Sequence, residues 1–162
     1  MANYWLMKSE LDVYPWSQLL ADGWTHWDGV RNYQARNMMR DDMKVGDLVM
    51  FYHSNCKPPH IAGIARIKRE GYPDFTSWDP TSNYYDEKSS PDNPRWFMVD
   101  IEPVVGFENL VDLPSMRDEI SLENMPLLRK GQRLSVQPVP KENFEHILAM
   151  AGHSMQKYNF KY

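Results

Sequence analysis

Between Gly71 and Pro94 the chain reads GYPDFTSWDPTSNYYDEKSSPDNP, a long run rich in proline, serine, aspartate and asparagine, with neither helical nor strand periodicity. Excursions of this length inside a compact domain are usually functional or disordered. This one carries Tyr72, Phe75, Trp78, Tyr84 and Tyr85, which favours a working surface. On either side, IAGIARIK at Ile61–Lys68 and RWFMVDIEPVVGF at Arg95–Phe107 are apolar and β-branched enough to be strands. Pro103 inside the second implies a bend or an edge position. The chain is therefore built on a sheet that leaves room for an irregular loop.

The remaining segments extend that sheet. Asn3–Lys8 (NYWLMK) predicts a first strand with Ser9 at its end, and Pro15 opens a short helix with Trp16, Leu19 and Leu20 at helical spacing and Gly23 as cap. Ala35, Met38, Met39 and Met43 form an apolar stripe opposite Arg36, Asn37, Arg40 and Asp41, a second helix ending before Gly46. Asp47–His53 pairs with Ile61–Lys68 as an antiparallel hairpin across SNCKPPH. Pro114–Ile120 predicts a short helix, Arg133–Gln137 a last strand, and Pro140–Met150 a closing helix with Phe144, Ile147, Leu148 and Ala151 inward. Strands do not alternate with long helices, which disfavours a parallel doubly wound sheet. The expected class is α+β, a small curved sheet or open barrel with short helices at its ends. It forms one domain over residues 1–152, with a peripheral tail over 153–162.

Composition narrows the partners. A chain of 162 residues is the size that closes one core. A net charge of −4 argues against a protein that grips nucleic acid by neutralising many phosphates, so any such binding is local and directed at bases. Six Trp and nine Tyr exceed what a core needs, so some rings are on display. No window approaches the roughly 18 apolar residues of a membrane span, and no membrane partner is expected. The start, MANYWLMKSE, lacks signal-peptide character, and a lone Cys56 excludes an internal disulfide. Both point to a cytoplasmic protein, read as a monomer.

Three patches carry candidate chemistry. In WTHWDGVRNYQARN, Trp24 reads as packing and Asn32 as the cap of the following helix. Trp27 beside Asp28, Asn32 and Tyr33 instead supplies a face for stacking and polar groups for a base edge. In FYHSNCKPPH, Tyr52, His53, Ser54 and Asn55 are able to face a ligand. His53, Cys56 and His60 have a spacing that recruits zinc, but a fourth ligand is absent nearby and no metal is expected. In RLSVQP, strand alternation sends Arg133, Ser135 and Gln137 one way and Leu134 and Val136 the other. Lys57, Arg66, Lys68, Arg69, Arg129 and Lys130 are the phosphate-contact candidates. Catalytic motifs are lacking: there is no glycine-rich phosphate loop, nucleophile elbow or triad, and no cofactor is expected. Asp28 and His53, with Glu10, are the acid–base set an enzyme acting on a nucleotide would use.

YWLMKSE, WDGVRNYQARN, FYHSN, IAGIA, YPD, PRWFMVDI and RLSVQP, in this order across nearly the whole chain, resemble the EVE domain family. The resemblance implies a PUA-like curved mixed sheet closing toward a barrel, related to the YTH readers of methylated adenine. It also implies a non-catalytic module that binds a modified base, of the modified cytosine or methylated adenine type, in DNA or RNA. By motif, Lys8 and Ser9 would form the pocket rim, Trp27, Asp28, Asn32 and Tyr33 one wall, and Tyr52, His53 and Ser54 a second. Arg133, Ser135 and Gln137 would close it, with Trp78 as a lid. The family's KSEP stands here as Lys8-Ser9-Glu10-Leu11, and leucine in place of proline predicts a looser turn after Ser9. An adaptor with a vestigial pocket is the reading this departure keeps open.

Overall fold

In a computed structural model, which describes residues 3–154, four long strands make the body of one sheet: β1 (Tyr4–Glu10), β3 (Leu48–Ser54), β4 (His60–Pro73) and β5 (Phe97–Asp112). Two short strands, β2 (Thr25–His26) and β6 (Val136–Pro138), edge it. The order is β2-β5-β4-β3-β1-β6, with β1 parallel to β3 and every other pair antiparallel. The edges β2 and β6 do not pair, so the sheet is mixed and open.

Joining two parallel neighbours requires a crossover. The chain between β1 and β3 supplies it with α1 (Trp16–Asp22), β2, and α2 (Tyr33–Asn37), which runs on as a π turn over Met38–Asp42. This crossover lays the Trp-rich segment over one face of the sheet. There Trp5, Met7, Val49 and Phe51 pack with Trp16, Leu19, Trp27, Ala35 and Met39. On the other face Tyr4, Leu6, Leu48, Met50 and Tyr52 pack with Met116, from α3 (Leu113–Arg117), and with Phe144, Ile147 and Leu148 from α4 (Lys141–Met150). Burial on both faces explains why WLM and LVMFY are continuous apolar runs without alternation.

The β4–β5 pairing slips at four places, between Ile61 and Gly63, Ile64 and Ala65, Ile67 and Arg69, and Arg69 and Tyr72. Such irregularities bend strands and increase twist. Pro103 pairs with Ala65 beside one of them, which is the bend its sequence position predicts.

Several boundaries differ from expectation. β4 continues to Pro73 and β5 to Asp112, since each is the other's partner along the added length. The last strand is only Val136–Pro138, because Arg129–Gln132 forms a turn and the Gln132 side chain accepts from Leu134 N–H, holding Arg133–Ser135 out of the strand. WTHW contains β2, paired with Ile101 and Asp100. Of the tail expected over 153–162, residues 155–162 lie outside the described residues; the His153 ring stacks on Phe107 at 5.3 Å.

Candidate functional site

At the end of β1, the crossover and the loop after β4 meet around a cavity of about 450 Å3, a volume within the range of small-molecule sites. One wall is the run from Thr25 to Arg31, which continues the line of β2. Trp27 N–H donates to Val99 O at 2.7 Å, and its ring stands edge-on against Phe51 at 5.5 Å. The ring is seated on the core, with 9% of the residue exposed. Beside it Asp28 is half-buried, and burial, reinforced by Asp74, raises its pKa; His26 and Arg31 oppose the shift.

The outer wall is tied in by a buried carboxylate. Asp74 is fully buried and its Oδ2 accepts from Gly29 N–H at 2.9 Å and from Arg31 Nη1 at 3.0 Å, while Oδ1 accepts from Thr76 N–H at 2.9 Å. Arg31 also donates from Nε and Nη2 to Tyr84 O, at 3.1 and 2.7 Å. Crossover and excursion are thereby clamped together. Gly29 has φ 81° and packs directly under the Tyr84 ring, which lines the cavity from outside.

The opposite side is built on the strand end. Lys8 N–H donates to Ser135 O at 2.8 Å, and burial lowers the pKa of the Lys8 side chain. Ser9 Oγ donates to Tyr14 O at 2.7 Å. Tyr14 OH donates to Asp22 Oδ2 at 2.7 Å, and burial, with Asp22, pushes its pKa up to about 12 although Thr25 opposes the shift. The turn after Ser9 is closed by Val13 and Tyr14 N–H groups that both donate to Glu10 O at 3.0 Å. Leu11 sits in it with its side chain exposed, so this geometry forms without the proline.

Of the residues singled out in the sequence, the cavity brings together Lys8, Ser9, Glu10, Trp27, Asp28 and Ser135. The others lie elsewhere. Asn32 caps α2, its side chain accepting from Ala35 N–H at 3.0 Å. Tyr33 stacks on Trp96 at 4.8 Å on the outer surface. Tyr52 is buried in the core of the α4 face, and Ser54 follows at the end of that strand. His53 is buried beneath α1, its Nε2 accepting from Trp16 N–H at 3.2 Å. Trp78 ends a single helical turn over Phe75–Trp78 and does not line the cavity, where Tyr84 stands instead. Arg133 is exposed outside the strand, and Gln137 is buried with Nε2 donating to Leu134 O at 2.9 Å. Cys56 Sγ lies 3.8 Å from His60 Nδ1; among the described residues no three His, Cys, Asp or Glu side chains are grouped as a metal site.

Sequence reasoning missed Tyr14, His26, Arg31 and Tyr84 in the lining and Asp74 behind it. The YPD motif, which contains Asp74, was the available signal. A larger hollow of about 810 Å3, between the start of β1, the π turn and the start of α4, involves none of the singled-out residues.

An open, bent mixed sheet of six strands with few short helices is a fold of the PUA-like class. Within that class the chain matches the EVE domain model over residues 3–150 and belongs to that family. Thymocyte nuclear protein 1 of Homo sapiens is 40% identical over 169 residues, covering 93% of this chain and 74% of the human protein. The crystal structure of human THYN1 protein in complex with DNA containing 5-methylcytosine superposes with a TM-score of 0.85 at 38% identity, covering 93% of this chain and 98% of that one. A Pseudomonas syringae protein gives 0.87 at 47% identity, with 91% and 99% covered. Among the described residues no helix is long and apolar enough to cross a membrane.

Proposed function

We propose that this chain is a non-catalytic module that binds nucleic acid carrying a modified nucleobase and takes the extruded base into the 450 Å3 cavity. The observation that carries the reading is the similarity to the human relative solved with 5-methylcytosine DNA, at a TM-score of 0.85 over 93% of this chain. The cavity suits the role. Trp27, Tyr14 and Tyr84 offer aromatic surface, and stacking returns about 1–3 kcal/mol per base against an extrusion cost of a few kcal/mol. Asp28 is a carboxylate placed to accept from the exocyclic amino group of a cytosine or adenine. Ser9, whose hydroxyl proton is committed to Tyr14 O, retains lone pairs for a donor.

The rival enzymatic reading required Asp28 and His53 to act together. His53 lies beneath α1 with Nε2 occupied by a backbone N–H, so of the acid–base set only the two carboxylates, Asp28 and Glu10, line the cavity and its histidine does not; binding is the better-supported role. In this reading the module is monomeric, works in the cytoplasm and needs no cofactor. Fluorescence titration with oligonucleotides carrying 5-methylcytosine, methylated adenine or no modification tests it. Preference for one modified oligonucleotide is expected, whereas equal binding to all, or none, overturns it.

A further inference from the structure

We propose that the groove behind Tyr84 is a second nucleobase subsite, occupied by the nucleotide next to the extruded base. This inference rests on the reading of the first cavity. Arg31 and Tyr84 line both the first cavity and an adjoining groove of about 510 Å3, whose other walls include Tyr85 and Trp96. A strand that delivers one base past Tyr84 must carry its neighbour along the far side of the same wall.

Planar groups follow one another along this surface, with the buried Trp96 at their base. The Arg31 guanidinium lies over the Tyr84 ring at 5.7 Å and over the Trp96 ring at 5.4 Å. Tyr33 stacks on Trp96 at 4.8 Å and 21°, and Arg36 covers Tyr33 at 4.7 Å. Tyr33, Tyr84 and Tyr85 remain 49%, 39% and 46% exposed. Exposed aromatic and guanidinium planes in series are how proteins hold successive bases of a single strand.

The chemistry favours a base over a phosphate. Arg31 is the one basic residue lining the groove, and its five N–H groups are all committed, to Val30 O, Asp74, Thr76 Oγ1 and, twice, Tyr84 O. The lining also carries Asp86 and Glu87, carboxylates that repel phosphate, and Glu87 with the Asn83 amide oxygen is able to accept from an exocyclic amino group. The occupant is therefore an unpaired flanking base, preferentially one bearing an amino group.

The test uses single-stranded oligonucleotides with the modified base at the centre, and with the nucleotide on one side, the other, or both replaced by an abasic residue. On the wild-type chain, an abasic residue on one particular side should weaken binding about tenfold, the contribution of one stacked base. Tyr85→Ala, at an exposed position, should unfold at the wild-type temperature. It should show the same loss on the intact oligonucleotide and no further loss on the one abasic on both sides. If the wild type prefers the modified base but flanking abasic residues change nothing, the subsite is overturned while the first cavity stands. The subsite is overturned in the same way if Tyr85→Ala weakens the doubly abasic oligonucleotide equally. If no modified base is preferred at all, both readings fall.

Discussion

The Tyr84 ring lies so close to the backbone of Gly29 that a Cβ at position 29 would stand 2.7 Å from it. The same glycine has φ 81°, and its N–H donates to the buried Asp74, so this point joins the crossover, the excursion and the cavity wall. Gly29→Ala should cost about 1–2 kcal/mol from the left-handed backbone alone, more if Tyr84 is displaced, and should weaken oligonucleotide binding. Urea unfolding and the titration measure the two effects; wild-type values in both would contradict the assignment of Gly29.

Asp74 makes a heavier commitment. It is fully buried and paired with Arg31, whose side chain is 23% exposed. Asp74→Ala strips Arg31 of its counter-charge and leaves the Gly29 N–H without its acceptor. Removing one partner of a buried pair costs about 3–5 kcal/mol, and the lower end is expected here because Arg31 keeps some solvent. Denaturant unfolding should show that loss, and the cavity should lose its outer wall with it.

How much of this could be read from residues alone depended on distance along the chain. The β3–β4 hairpin and the closing helix followed from local apolar runs and turn residues, and both are present where expected, although β4 runs on to Pro73. β2 did not, because two residues carry no period and its strand character comes from pairing with Ile101 and Asp100. Trp27 and Asp28 were legible as an aromatic and a polar residue side by side in one patch, and Lys8 and Ser9 only through the resemblance to the family. Tyr52 and His53 were not, because β3 is buried on both faces and offers no alternation to say which side chain faces where. The Arg31–Asp74 clamp joins residues 43 apart, a relation no local pattern encodes.

Trp27 illustrates the cost of that limit. A residue read from the sequence as a displayed ring is 9% exposed and packs edge-on against Phe51. Trp27→Ala should therefore lose about 3–5 kcal/mol of stability, as large aromatic truncations in cores do, and lost binding in that variant would not isolate a stacking role. Thermal unfolding checks this; an unchanged midpoint would return Trp27 to the surface.

His53 should make the fold sensitive to mild acid. Burial, with His60 nearby, lowers its pKa below the ordinary 6.5, although the Ser9 backbone opposes the shift. The unfolded chain therefore takes up a proton at a pH where the folded chain does not, so stability falls as pH drops through the ordinary histidine pKa toward the folded one. His53→Gln removes this dependence. Unfolding free energies measured between pH 7 and pH 5 should fall more steeply for the wild type than for the variant, and parallel curves would show that His53 is not responsible.

Asp28 has the opposite sign. Its folded pKa is raised by burial and by Asp74, so the folded state holds the proton more tightly than the unfolded one. The resulting penalty is absent below the ordinary aspartate pKa of about 4, grows as pH rises through the folded value, and is fully present at neutrality. Asp28→Asn keeps the shape, removes the charge and should raise the unfolding midpoint at pH 7, with the advantage shrinking toward pH 4. Under the proposed function the same variant should bind the modified oligonucleotide less well, because an amide offers one acceptor oxygen where the carboxylate offers two. A gain in stability together with a loss of binding is the signature of a charge kept in the cavity for a ligand; a variant that loses both would make Asp28 structural.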